Sequence, residues 1–200
     1  MIAIVDYGMS NLRSVQRGLE RVGAAVRVVT TAAELDGARG IVLPGDGAFG
    51  QTMENLVRGG WVEPLCQAIR RGVPFLGICL GMQLLFETSD EMGDHQGLGL
   101  LRGRVVKFPS GKVPQIGWNQ VQRPRESRLM AGVPDGSYVY FVHSYYCEPG
   151  ERALVAAETE YGLTYASAVE RDNIWGAQFH PEKSGEVGLA MLRNFSRMVG

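Results

Sequence analysis

In the first half of the chain, short apolar runs alternate with segments whose apolar positions recur every three or four residues. The run Ile2-Ala3-Ile4-Val5 has strand length, and in residues 11–22 Leu12, Val15, Leu19 and Val22 share one helical face, opposite Arg13, Arg17 and Arg21. Residues 25–29 and 40–43 read as a second and a third strand, the latter ended by Pro44. Residues 51–71 follow as one or two helices, broken near Gly59-Gly60. Residues 73–78 are a central strand, and residues 80–87 a helix leaving it. Strands alternating with helices predict an α/β fold with a mostly parallel central sheet flanked by helices, flavodoxin-like in kind.

The second half changes character. Residues 103–108, 115–122, 138–142, 153–159, 163–170 and 173–179 read as closely spaced strands beside turn signals such as Pro109-Ser110-Gly111 and Pro134-Asp135-Gly136. They add antiparallel strands to the parallel sheet. Residues 185–199 close the pattern as an amphipathic helix with Val187, Met191 and Phe195 on one face. Without an internal repeat, low-complexity tract or linker, residues 1–200 read as one domain.

Composition narrows the function. A chain of 200 residues, 45% hydrophobic and 20% charged, buries roughly 70% of its unfolded surface and needs neither metal nor disulfide to hold it. Twenty basic against 21 acidic side chains give a net charge of −1, which removes the footprint of a nucleic-acid binder. No apolar run reaches the ~18 residues of a membrane span, and the start lacks a basic n-region. Cys66, Cys79 and Cys147 form no C-x-x-C pair, which predicts a reduced, cytoplasmic chain. His95, His143 and His180 form no metal-ligand cluster, so no metal site is expected. The 27 glycines are about double the usual share, and their placement matters.

The sharpest feature is Gly77-Ile78-Cys79-Leu80-Gly81, between a strand and a helix. It has the form of a nucleophile elbow with cysteine in place of serine, where a sharp turn tolerates only glycine on its flanks. The helix start favours thiolate over thiol. A buried core cysteine is the bland alternative. A thiolate needs a base and a group to orient it, and His180-Pro181-Glu182 supplies both. Pro181 biases His180 toward extended geometry, in which residues i and i+2 project to one side. Taken singly, each of these two residues reads more simply as a strand-end or helix-start polar group. The glycine-rich stretch Gly45-Asp46-Gly47-Ala48-Phe49-Gly50 matches a dinucleotide fingerprint, but it follows the third strand rather than the first, and no acid closes a second strand about twenty residues on. An extended loop whose N–H groups face a reacting carbonyl fits better.

In this order and spacing, Pro44-Gly45-x-Gly47, Gly77-x-Cys79-x-Gly81-x-Gln83 and His180-Pro181-Glu182 resemble the class I, triad-type glutamine amidotransferases over nearly the whole chain. Asp6-Tyr7-Gly8-x-x-Asn11-Leu12, Gly47-Ala48-Phe49-Gly50 and Gly117-Trp118-Asn119 are similar to the glutaminase subunits of imidazole glycerol phosphate synthases. The resemblance implies Cys79 as nucleophile, His180 as base, Glu182 as its orienting partner, and the N–H groups of Gly47 and Leu80 as oxyanion donors. It implies that Gln83, Glu91, His143, Ser144 and Tyr145 hold glutamine, and that no cofactor is needed. It also implies a (β/α)8-barrel cyclase partner met through Asn11, Trp118 and Lys183. The position between Gly45 and Gly47 is often apolar in relatives, but here it is Asp46. A carboxylate beside a forming oxyanion repels it, so Asp46 is expected to point outward. Glutaminases serving anthranilate or pyridoxal phosphate synthesis share the same triad and remain rivals, as does a non-catalytic nucleotide-binding module.

Overall fold

The computed structural model describes residues 1–8 and 12–200. In chain order the elements are β1 (Ile2–Val5), α1 (Leu12–Arg21), β2 (Val26–Val29), β3 (Gly40–Gly45), α2 (Phe49–Arg58), α3 (Val62–Arg70), β4 (Phe75–Cys79), α4 (Leu80–Gln83), β5 (Phe86–Ser89) and β6 (His95–Gln96). There follow β7 (Leu101–Lys107), β8 (Gln115–Val121), β9 (Ser137–His143), β10 (Tyr145–Pro149), β11 (Val155–Glu160), β12 (Thr164–Arg171), β13 (Ile174–Ala177) and α5 (Gly185–Val199).

One large sheet runs β2-β1-β3-β4-β13-β12-β10-β7-β5-β6, with β11 also paired to β12. From β2 through β13 every pairing is parallel; beyond β13 the pairings are antiparallel, except that β5 and β7 run parallel. The α/β class and the added antiparallel strands agree with the sequence pattern. Strands β1, β3, β4 and β13 are buried along their whole length, which explains why they read as continuous apolar runs rather than alternations. The core on one side of the sheet gathers Val15 and Leu19 of α1 with Met191, Leu192 and Phe195 of α5; on the other it gathers Leu56, Leu65 and Ile69 of α2 and α3. Strands β8 and β9 form a separate antiparallel ribbon. Among the described residues no helix is long and apolar enough to cross a membrane.

Three sequence expectations are corrected. Pro44 does not end β3, which continues to Gly45 along β4. The ladder with β1 stops at Val42, and the Pro44 carbonyl instead accepts the Tyr7 hydroxyl at 2.9 Å, so the missing N–H of Pro44 interrupts no ladder on that side. The helix expected over 80–87 is only Leu80–Gln83, after which Phe86–Ser89 joins the sheet. All four residues of α4 are buried, so there is no polar face by which its length could be read. Finally, β10 pairs with both β7 and β12, although no strand was expected there.

Candidate active site

The elbow forms as the glycines require. Cys79 ends β4 and precedes α4 with φ 55° and ψ −113°, a conformation that bulky side chains adopt only when their surroundings enforce it. A Cβ on Gly77 would lie 2.4 Å from the Gly81 carbonyl oxygen, and one on Gly81 would lie 1.8 Å from that of Leu43. Both glycines are therefore steric necessities of the turn. Of the three cysteines, Cys79 lines a cavity, whereas Cys66 and Cys147 are core residues whose thiols are pushed up by burial.

That cavity has a volume of about 410 Å³ and brings together Gly47, Cys79, Leu80, Gln83, Glu91, His143, Ser144, Tyr145, His180 and Lys183, from segments spread along the chain. Glu182 sits directly behind His180, its side chain wholly buried, and its Oε1 lies 2.8 Å from His180 Nδ1. The two meet by a different route from the expected one. His180 is extended (φ −100°, ψ 97°), but Pro181–Lys183 forms a 3-10 turn that folds Glu182 back onto the ring. Burial opposes the charged imidazolium, but hydrogen bonds with Cys79 and Glu182, aided by their charges, outweigh it and push His180 up to about 10. The raised pKa fits the ring to take up and hold a proton.

The surrounding polar groups are tightly committed. Glu91 Oε2 accepts the Phe49 N–H at 2.6 Å, placing its carboxylate at the start of α2. Gln83 Nε2 donates to the Tyr145 carbonyl at 2.9 Å and to Gln178 Oε1 at 3.0 Å. The Tyr145 carbonyl also takes His143 Nδ1 at 2.8 Å, and that of Ser144 takes the Phe108 N–H at 3.2 Å. The His143 ring packs among Phe108, Phe141 and Tyr165, and burial pushes it down to about 4. Asp46, expected to point outward, is instead a half-buried lining residue of the cavity.

Trp118 lies outside this group, exposed on β8, and Lys183 Nζ stands 5.9 Å above the Tyr140 ring at the cavity's edge. Asn11 lies outside the described residues. Two residues that sequence reasoning missed hold the site together. Ser184 Oγ accepts the Tyr140 N–H at 3.0 Å and donates to the His180 carbonyl at 2.6 Å, tying the histidine to β9. Gln178, fully buried, donates from Nε2 to Cys79 Sγ at 3.7 Å.

Against known families, residues 3–199 match the model described as glutamine amidotransferase class-I. The chain belongs to the class I glutamine amidotransferases. Within the family it is 51% identical over 200 residues to "Imidazole glycerol phosphate synthase subunit HisH" of Desulfitobacterium hafniense (strain Y51), covering 100% of this chain and 95% of that one. It is 52% identical to the subunit of the same name from Moorella thermoacetica, covering 99% and 95%. Among solved structures, a crystal structure of a glutamine amidotransferase superposes with a TM-score of 0.80 at 17% identity, covering all of both chains, a likeness of fold. In this amidotransferase the Gly45 backbone packs against the elbow, where a Cβ on Gly45 would come within 2.8 Å of Leu80 Cβ. That close approach explains the glycine without any nucleotide.

Proposed function

We propose that residues 1–200 act as one domain, the glutaminase subunit of an imidazole glycerol phosphate synthase. It hydrolyses L-glutamine to glutamate and ammonia through a Cys79 thioester. The ammonia passes to a (β/α)8-barrel cyclase subunit that makes imidazole glycerol phosphate and an aminoimidazole carboxamide ribotide in histidine biosynthesis. The carrying observation is His180, set between the Cys79 thiol and a buried Glu182 whose Oε1 is 2.8 Å from Nδ1. Full-length identity near 50% to subunits of that name favours this synthase over those for anthranilate or pyridoxal phosphate.

In the first step His180 takes the Cys79 thiol proton as Sγ attacks the side-chain carbonyl carbon of glutamine, and the carbonyl π electrons move onto oxygen. The Leu80 N–H, in the first turn of α4 where amides lack intrahelical acceptors, faces the growing charge. Collapse of the tetrahedral species breaks the C–N bond, and the imidazolium of His180 gives its proton to the departing nitrogen. Neutral His180 then takes a proton from water as its oxygen attacks the thioester; collapse breaks the C–S bond, and His180 returns that proton to the departing sulfur, releasing glutamate and the thiol. Glu182 fixes the tautomer and holds the charged ring. Gly47 contributes its N–H once the loop turns so that Asp46 leaves the cavity wall; Gly45 and Gly47 give that backbone its freedom. Glutamine is held by Gln83, Glu91, His143, Ser144 and Tyr145.

Exposed Ile116, Trp118 and Tyr138 lie on one face of the β8–β9 ribbon, whose Val142 lines the cavity, and that face is assigned to the cyclase together with Asn11 and Lys183. Three reduced cysteines suit a cytoplasmic enzyme.

The test is glutamate release by the purified chain and by Cys79→Ala, alongside covalent labelling with a glutamine-like electrophile. Labelling at Cys79 and loss of at least a thousandfold in rate on substitution are expected. Unlabelled Cys79, or an active alanine variant, overturns the reading.

A further inference from the structure

Two buried side-chain amides, Gln83 and Gln178, link the Tyr145 carbonyl to the Cys79 sulfur in series. The Tyr145 carbonyl can only accept, so the Gln83 group 2.9 Å from it must be the NH2 end. The same nitrogen lies 3.0 Å from Gln178, and a donor there requires Gln178 to present its oxygen. The other end of the Gln178 amide, now necessarily NH2, lies 3.7 Å from Cys79 Sγ. Reversing either amide would set donor against donor or oxygen against oxygen inside the protein. Gln83 is 4% exposed and Gln178 fully buried, so water cannot relieve such a clash.

We propose that Gln178 is a positioning residue that holds the Cys79 sulfur through its side-chain NH2, its donor direction fixed by the Tyr145 carbonyl through Gln83. The chain of amides links the segment that flanks the glutamine site to the nucleophile, and it presents a neutral donor that steadies sulfur as negative charge builds there. A buried lysine would do the same at far greater desolvation cost. His180 remains the proton carrier; Gln178 moves no proton. The proposal rests on Cys79 being the nucleophile.

The test compares the full-length chain with Gln178→Met, which removes donor and acceptor at similar volume, and Gln178→Glu, which keeps an oxygen for Gln83 but deletes the donor. Alkylation of Cys79 by iodoacetamide at pH 7, followed by mass spectrometry, is expected to slow about tenfold in both, with buried Cys66 and Cys147 as internal controls. Glutamine turnover should lose kcat by a similar factor with KM within twofold, a split that general loosening of the site does not produce. Native alkylation and kcat in either folded variant overturn the proposal. Should both variants fail to fold, the native chain labelled with ¹⁵N at glutamine side chains decides: Cys79→Ala must shift the Gln178 amide signal, and an unmoved signal overturns it. An active Cys79→Ala variant would instead overturn the glutaminase reading itself, so the two failures are distinct.

Discussion

Two residues that line the cavity with Cys79 carry charge logic that can be tested directly. Asp46 lines the same cavity as Cys79, and a carboxylate facing that cavity would repel an oxyanion forming in it. Asp46→Asn keeps the shape and removes the charge, and it is expected to raise unstimulated glutamate release by the isolated chain several-fold. An unchanged or lower rate would remove the repulsive role. His143 sits in the opposite situation. Burial holds it neutral, with Nδ1–H on the Tyr145 carbonyl and Nε2 toward the Tyr165 hydroxyl, and pushes its pKa down to about 4 from an ordinary 6.5. Between those values the unfolded chain binds a proton that the native chain refuses, so stability falls as pH drops from 6.5 toward 4. The loss amounts to about 3 kcal/mol across the window. Urea unfolding midpoints measured across that range should show a native chain more acid-sensitive than His143→Gln, and parallel curves would refute the assignment.

At the scale of elements, the turn that carries His180 and Glu182 is held by the helix after it. A Cβ on Gly188 of α5 would lie 1.9 Å from the Pro181 carbonyl oxygen, a backbone atom that cannot move without the turn. Gly188→Ala should therefore cost about 1–3 kcal/mol in stability and depress glutaminase rate further than that loss explains. Gly150→Ala, where the nearest atom is Arg102 Cβ at 3.3 Å, is the milder control. Comparable thermal midpoints and rates for the two would show that the turn is not so gripped. The sequence made this element legible because glycine, cysteine, histidine and proline carry their constraints locally: Gly77 and Gly81 are dictated by the turn between them, and Pro181 acts on its neighbour. Gln178 and Ser184 were not legible. Each is a single buried polar residue whose value lies wholly in a partner distant in sequence, such as Cys79 or Tyr140. The short α4 and the strand after it escape a sequence reading for a related reason. Burial on all sides of Leu80–Gln83 and again at Leu84, Leu85 and Phe86 erases the polar face that distinguishes a helix from a strand.

At the scale of the whole molecule, the chemistry and the exposed apolar surface meet on one ribbon. Strand β9 supplies Val142 and His143 to the cavity, while its cross-strand pairs with β8 carry Ile116, Trp118 and Tyr138 into solvent at 56–62% exposure. The ribbon is also tied to the histidine, since Tyr140 binds both the His180 N–H and, through its own N–H, Ser184. A partner seated on that face would thus press on the strand that holds His180, which couples any docking there to the geometry of the site. Trp118, packed edge-on against Tyr140 at 6.1 Å, is the central aromatic of the patch and the natural anchor. Trp118→Ala is expected to weaken binding to the cyclase by about 2 kcal/mol, roughly thirtyfold. Titration of cyclase into the variant, following glutamate release, should then show the same plateau reached at higher partner concentration. A plateau lowered at unchanged affinity would place Trp118 in the transmission of the signal rather than in docking, and no change in either would move the interface elsewhere on the molecule.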